Sequence, residues 1–222
     1  HFPVINFNMR KTSLIVYDFD GTLVDTLFDI ADSVNLTLAD LSLSQLPRET
    51  IRKYVGKGVE RLMSQTLNGT DFTDIPRAVS LFKKHYSENL VNHTDFYPHG
   101  REILEHFKDK KQAICSNKPE GFVRQILESL NGLHPFEAIV GGDSVKSKKP
   151  DPEGLNHILE QLNVSADEAV LIGDSPVDIE TGKRAGVYTC VVNYGLGFAE
   201  EIDAAKPDYS IDCLSELKEI FC

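Results

Sequence analysis

The 222-residue chain contains no tryptophan and only four cysteines, Cys115, Cys190, Cys213 and Cys222, with no C-x-x-C pair among them. That spacing excludes a disulfide framework or a thiolate zinc site as the organising feature, and reduced thiols fit a cytoplasmic protein. Also missing is any apolar run near the ~18 residues of a membrane span, and the N-terminus lacks the basic, apolar and small-residue succession of a secretory signal. A soluble protein with no membrane partner is expected. Positive charge is in deficit, since 23 Lys and Arg face 34 Asp and Glu for a formal net charge of -11. Such a field repels nucleic acid over most of the surface, so no nucleic-acid partner is expected. A small anion can still bind where a site is locally positive or holds a cation.

What the chain does contain is an alternation. Ser13 to Thr22 reads SLIVYDFDGT, a short β-branched and apolar run that ends abruptly in carboxylates and glycine. Runs of the same kind recur at Gln112–Cys115, Glu137–Val140, Ala169–Ile172 and Thr189–Val192. Helical periods lie between them, clearest in Phe122, Val123, Ile126, Leu127 and Leu130 and in Leu155, Ile158, Leu159 and Leu162. Strands alternating with helices predict an α/β fold, a Rossmann-like parallel sheet covered by helices on both faces. One interval breaks the pattern. From Asp25 to Thr94 only helical periods occur, such as Ile30, Val34 and Leu38, then Val79, Phe82 and Tyr86. The expected division is an α/β core of residues 9–24 and 95–222 with an inserted helical cap over 25–94. Residues 1–8 precede Met9 and are read as an appended or disordered N-terminus.

Chemistry-bearing residues follow the strands. Asp18 and Asp20 stand two apart at the end of the first strand, so their carboxylates point the same way and repel unless a cation lies between them. A turn with an aspartate cap explains the pair as well when it is taken alone. Ser116-Asn117 follows the second core strand, Lys149-Pro150-Asp151-Pro152 lies beyond the third, and Gly173-Asp174 with Asp178 follows the fourth. Parallel α/β sheets bind ligands at the carboxyl ends of their strands, where these groups would converge.

In order and spacing, D-x-D-G-T, S-N, K-P-x-P and G-D-x-x-x-D resemble the haloacid dehalogenase-like superfamily of aspartate-dependent phosphohydrolases. DFDGTLVDT followed by a helical insertion carrying Tyr54-Val55-Gly56-Lys57-Gly58 looks most like its phosphoglycolate phosphatases. The resemblance implies a phosphatase acting on a small phosphorylated metabolite, with Asp18 as nucleophile and Asp20 as general acid and base. It implies Mg²⁺ held by Asp18, the backbone carbonyl of Asp20, and Asp174, with Asp178 direct or through water. It gives Ser116 and Lys149 catalytic roles at the phosphoryl group, and places Thr22 and Asn117 against the substrate. Gly56, Lys57 and Gly58 are candidates for the substrate's anionic end, against an ordinary solvated helix face.

Other residues have blander readings. Lys146 and Lys148 are expected in solvent, Cys115 in core packing, and Lys118 either toward the substrate or on the surface. Asp25 and Thr26 suit a hinge or a helix cap. A sugar-phosphate mutase, a pyrophosphatase or a nucleotide phosphatase uses the same residues, and a receiver-like signalling module also phosphorylates an aspartate beside Mg²⁺. A monomer or homodimer fits the chain equally.

Overall fold

The structure is a computed structural model that describes residues 10–222. The expectation for residues 1–8 lies outside the described residues. The chain enters through β1 (Leu14–Tyr17), four apolar residues buried on both sides. After the D-x-D loop comes β2 (Val24–Asp25), followed by α1 (Leu27–Asp40), α2 (Arg48–Arg52), α3 (Val59–Thr66) and α4 (Ile75–Glu88), and the chain returns through β3 (Asp95–Phe96). The remainder alternates: α5 (Gly100–His106), β4 (Lys111–Cys115), α6 (Glu120–Ser129), β5 (Ala138–Val140), α7 (Glu153–Leu162), β6 (Ala169–Gly173), α8 (Pro176–Ala185), β7 (Tyr188–Val192), α9 (Ala199–Ala205), β8 (Tyr209–Ile211) and α10 (Leu217–Ile220).

Six strands form one sheet in the order β5-β4-β1-β6-β7-β8, and every pair is parallel. Side chains alternate across a strand, so each central strand must be apolar at every position when helices cover both faces. Leu14 and Val16 of β1 accordingly pack with Leu155, Ile158 and Leu162 of α7. Ile15 and Tyr17 join the opposite cluster with Ile103 of α5, Ile126 of α6 and Leu217 of α10. The central position of β1, between β4 and β6, sets the D-x-D loop in the middle of the sheet's carboxyl edge.

The insertion is tied at both ends. Its entry and exit pair as a two-stranded antiparallel ribbon, Val24 opposite Phe96 and Asp25 opposite Asp95. Asp29, almost fully buried in α1, accepts the backbone N–H groups of His93 and Thr94 at 2.9–3.1 Å. The buried Leu27, Ile30, Ala31, Val34 and Leu38 of α1 recur at helical spacing. With Phe82 and Tyr86 of α4 they continue the apolar cluster that contains Tyr17 and Phe19, so insertion and sheet share one core.

Two glycines test this packing with opposite signs. In α8 a Cβ on Gly182 would stand 2.4 Å from Thr189 Cγ2 of β7, whereas a Cβ on exposed Gly121 of α6 meets nothing within 4 Å. Gly182→Ala should therefore lower stability by about 1–3 kcal/mol through overpacking. Gly121→Ala should raise it by up to ~1 kcal/mol through helix propensity. Thermal melts of the two variants check both signs, and stabilisation by Gly182→Ala would contradict the α8–β7 contact.

Candidate active site

Each sheet strand that ends near the middle of the carboxyl edge delivers a polar group there. Asp18 continues β1, and its N–H donates to Ile172 O of β6 at 2.8 Å, which fixes its backbone at the edge. Asp174 follows β6, and Asp178 occupies the first turn of α8. Carboxylate oxygens of Asp18, Asp174 and Asp178 lie within 4.8 Å of one another, all three residues buried. Between two of them lies Lys149, whose Nζ is 3.0 Å from Asp18 Oδ1 and 2.6 Å from Asp178 Oδ1. Asp178 is further held through Oδ2, which accepts from Ser175 Oγ at 2.6 Å and Ser175 N at 3.1 Å. Asp18 Oδ1 also accepts the Phe19 N–H at 2.7 Å. Among the described residues Oδ2 of Asp18 accepts no hydrogen bond.

On the side toward the insertion, Asp20 Oδ1 accepts from Thr26 Oγ1 at 2.6 Å and Lys118 Nζ at 2.8 Å. Ser116 is buried next to them. Asn117 spends its amide on a bridge, donating through Nδ2 to Lys149 O and to Gly56 O of the insertion, each at 3.0 Å, while its Oδ1 has no partner among the described residues. Asp18, Asp20, Ser116, Asn117 and Lys118 line a cavity of about 40 Å³, walled on the insertion side by Ile30, Val55, Val59, Leu62, Phe82 and Tyr86.

The sequence profile of haloacid dehalogenase-like hydrolases matches residues 15–192 of this chain, which includes every one of these groups. The chain belongs to the haloacid dehalogenase-like hydrolase family. It is 34% identical over 218 residues to a phosphoglycolate phosphatase of Colwellia psychrerythraea, covering 94% of this chain and 96% of that protein. With the phosphoglycolate phosphatase of Aquifex aeolicus the identity is 36% over 209 residues, covering 93% and 95%. A crystal structure described as a predicted phosphoglycolate phosphatase from Haemophilus somnus superposes with a TM-score of 0.91 at 28% identity, covering 96% of this chain and 99% of that one.

The charge balance of this hydrolase site is unusual for a protein interior. Burial raises the Asp18 carboxyl to about 7, assisted by the charge of Asp178 and opposed by Lys149 and the Phe19 N–H. Asp174 is pushed well above the ordinary carboxylate range by burial and then by the charges of Asp178 and Asp18. For Lys149 burial works against the charge, yet Asp178 and Asp18 outweigh it and hold the ammonium firmly protonated. One lysine does not neutralise three carboxylates, and a cluster of hard oxygen donors at this spacing fits a divalent cation.

The remaining sequence candidates fall in several places. Thr22 is fully buried and its Oγ1 lies 3.4 Å from Asp174 Oδ1, on the carboxylate cluster and outside the cavity lining. Gly56 and Gly58 line the cavity, but Lys57 between them is exposed and borders a neighbouring cleft with Arg52, Asp174 and Phe198. Lys118 is buried, which decides against its surface placement, and Tyr86 Oη accepts from its Nζ at 2.7 Å. Lys146 is exposed as expected, whereas Lys148 is half-buried and reaches Glu60 of α3 at 2.7 Å. Asp25 accepts the Leu27 N–H at 3.3 Å just ahead of α1, whose N-cap Thr26 makes no capping hydrogen bond and turns its hydroxyl to Asp20 instead. Cys115 is core packing, its thiol pushed up to about 12 by burial.

Sequence reasoning overlooked the loop after β7. Leu196 N donates to Asp174 Oδ2 at 2.6 Å, and the flanking glycines are required because a Cβ at Gly195 or Gly197 would fall 2.3 Å from Asp174 Cβ or 2.0 Å from Asp174 O. The G-x-G spacing after a strand was the available signal.

Raised carboxyl values make stability depend on pH. Folded Asp18 holds its proton from 3.8, its ordinary value, up to about 7, so over that window the native state binds more protons than the unfolded chain and stability falls as pH rises. Carboxylates with lowered values, Glu60, Glu102, Glu105 and Glu153, act in the opposite sense, but their contribution is lost as pH falls through the ordinary carboxylate range and changes little above it. In EDTA the protein should melt several degrees lower at pH 7.5 than at pH 5, and Asp18→Asn should remove part of the difference. Calorimetry at the two pH values checks it; a melting temperature that is flat or rises would contradict the charge balance.

Proposed function

We propose that the protein hydrolyses a small phosphate monoester, 2-phosphoglycolate foremost, through a phosphoaspartate formed on Asp18. The observation that carries this reading is Asp18 itself, with Oδ1 held by Lys149 and the Phe19 N–H and Oδ2 without a hydrogen bond among the described residues, in a cavity shared with Asp20 and Ser116. One oxygen is fixed and the other is available to attack.

In the first half-reaction Asp18 Oδ2 bonds to phosphorus while the ester P–O bond breaks, and Asp20 gives a proton to the leaving oxygen. In the second, Asp20 takes a proton from water as that water attacks phosphorus, the bond to Asp18 Oδ2 breaks, and inorganic phosphate leaves. Ser116 donates a hydrogen bond to a phosphoryl oxygen, and Lys149 offsets charge at the nucleophile. Mg²⁺ held by Asp18 and Asp174, with Asp178 directly or through water, supplies the positive charge that lets a phosphate dianion approach a carboxylate. Helices α1–α4 serve as the cap that excludes bulk water, a role supported by the Asn117–Gly56 and Lys148–Glu60 bridges to the core.

The names of the relatives support 2-phosphoglycolate, and the apolar roof of Ile30, Val55, Val59, Leu62 and Phe82 offers few hydrogen-bond partners to the ring hydroxyls of a sugar-phosphate mutase substrate. Steady-state phosphate release over a panel of phosphate esters and pyrophosphate tests the reading. With Mg²⁺, 2-phosphoglycolate should give the highest kcat/KM, and excess EDTA should abolish turnover. Asp18→Asn should cost more than about a hundredfold, since it removes both covalent catalysis and an anionic ligand, worth over ~3 kcal/mol together. Retention of a tenth of the activity by that variant would overturn the nucleophile assignment.

A further inference from the structure

Lys118 is among the described residues the one basic side chain that lines the cavity above Asp18. Its side chain is only 4% exposed, and the turn between β4 and α6 aims it inward, with Nζ 2.8 Å from Asp20 Oδ1 and 2.7 Å from Tyr86 Oη. An ammonium has three donors. Two are engaged by described residues and the third is left over. Tyr86 Oη accepts from the lysine, so its own hydrogen is also left over, and burial together with the charges of Asp20 and Asp29 keeps that phenol protonated. The Tyr86 ring is fixed by stacking on Phe82 at 5.4 Å between centroids and by an edge contact with Phe122 at 5.1 Å. Two unspent donors thus stand 2.7 Å apart on rigid supports, surrounded by aliphatic and aromatic wall.

We propose that Lys118 and Tyr86 form the specificity site for the leaving group and grip a carboxylate carried within one or two carbons of the ester oxygen. The proposal rests on the phosphatase reading above and names the part of the substrate that reading leaves open. Paired donors match the two oxygens of a carboxylate, and the contact of Lys118 with Asp20 sets the distance from that grip to the group that protonates the leaving oxygen. A 2-phosphooxy acid spans this distance with a single carbon between its two functional ends. A neutral-tailed ester of the same length offers at most one hydroxyl oxygen and no charge to the pair, so at least one donor stays buried without a matched partner, the situation in which binding sites reject analogues most strongly. Lys149 is not available for this task because Asp18 and Asp178 hold it. Lys57, the cation that local sequence favours, is exposed and lines not this cavity but the adjoining cleft on the other side of Asp20, Val55 and Gly56.

The test compares 2-phosphoglycolate with 2-hydroxyethyl phosphate, which replaces the carboxylate by a neutral hydroxymethyl group. Purified full-length wild type, Lys118→Met, Tyr86→Phe and Lys57→Ala are assayed with Mg²⁺. Lys118→Met should lower kcat/KM for 2-phosphoglycolate about ten- to a hundredfold more than for the neutral ester, chiefly through KM, as expected for loss of a charge-assisted hydrogen bond. Tyr86→Phe removes one hydroxyl and preserves the ring packing, so it keeps the question decidable if Lys118→Met fails to fold. It should show the same selectivity at roughly three- to tenfold. Lys57→Ala should not change the ratio. Equal losses on both esters in Lys118→Met and Tyr86→Phe would mean that the pair acts only through Asp20, and would overturn the proposal while leaving the phosphatase reading intact. Wild type that hydrolyses neither these esters nor any other phosphate monoester would overturn the phosphatase reading itself.

Discussion

Carboxylates of Asp18, Asp174 and Asp178 are buried within 4.8 Å of one another, with Lys149 as the counter-charge hydrogen-bonded into the cluster. Much of the surrounding architecture is arranged to hold this repulsive group together. The parallel sheet brings the ends of β1 and β6 side by side, the first turn of α8 returns Asp178 to the same point, and glycines at 195 and 197 let the loop after β7 close on Asp174. Each of these devices fixes backbone rather than adding compensating charge, so the cluster keeps its demand for a cation. That demand fits the proposed phosphotransfer, in which nucleophile and substrate are both anions.

On the proposed reading the insertion answers a second need, that of excluding water while admitting a small anion. It shares the apolar cluster of the sheet through Phe19, Leu23 and Val24, and it touches the core through polar bridges at the rim of the cavity. Arg52 of α2 donates to Gly195 O at 2.9 Å, in the same loop that covers Asp174. Asn117 joins Gly56 of the insertion to the Lys149 backbone. These two bridges therefore end on residues that themselves touch the carboxylate cluster or its lysine.

Much of this was readable in the sequence because it follows from short-range rules. Strands β1, β4, β6 and β7 are buried on both faces, so they stand out as apolar runs, and the groups just beyond β1, β4 and β6 converge by topology alone. Strand β8 escaped because an edge strand of three residues between Asp208 and Asp212 has no apolar run to show. Ribbon strands β2 and β3, at two residues each, are too short for any periodicity. The Lys118–Tyr86 pair was hidden for a different reason: its members are separated by 32 positions, and their contact depends on how α4 lies over the sheet. Lys57 drew attention through its flanking glycines and local positive charge, but local charge does not tell which side of a cavity wall a side chain occupies.

The central claim is that the open oxygen of Asp18 becomes covalently phosphorylated during turnover. It is tested most directly by acid-quenching the Asp20→Asn variant during reaction with 2-phosphoglycolate and Mg²⁺, then analysing its peptides by mass spectrometry. The account predicts the mass of one phosphoryl group on the peptide that contains Asp18, and its absence in the Asp18→Asn, Asp20→Asn double variant. Turnover by the Asp20→Asn variant with no phosphoryl group on that peptide, or with the group on another residue, would contradict it.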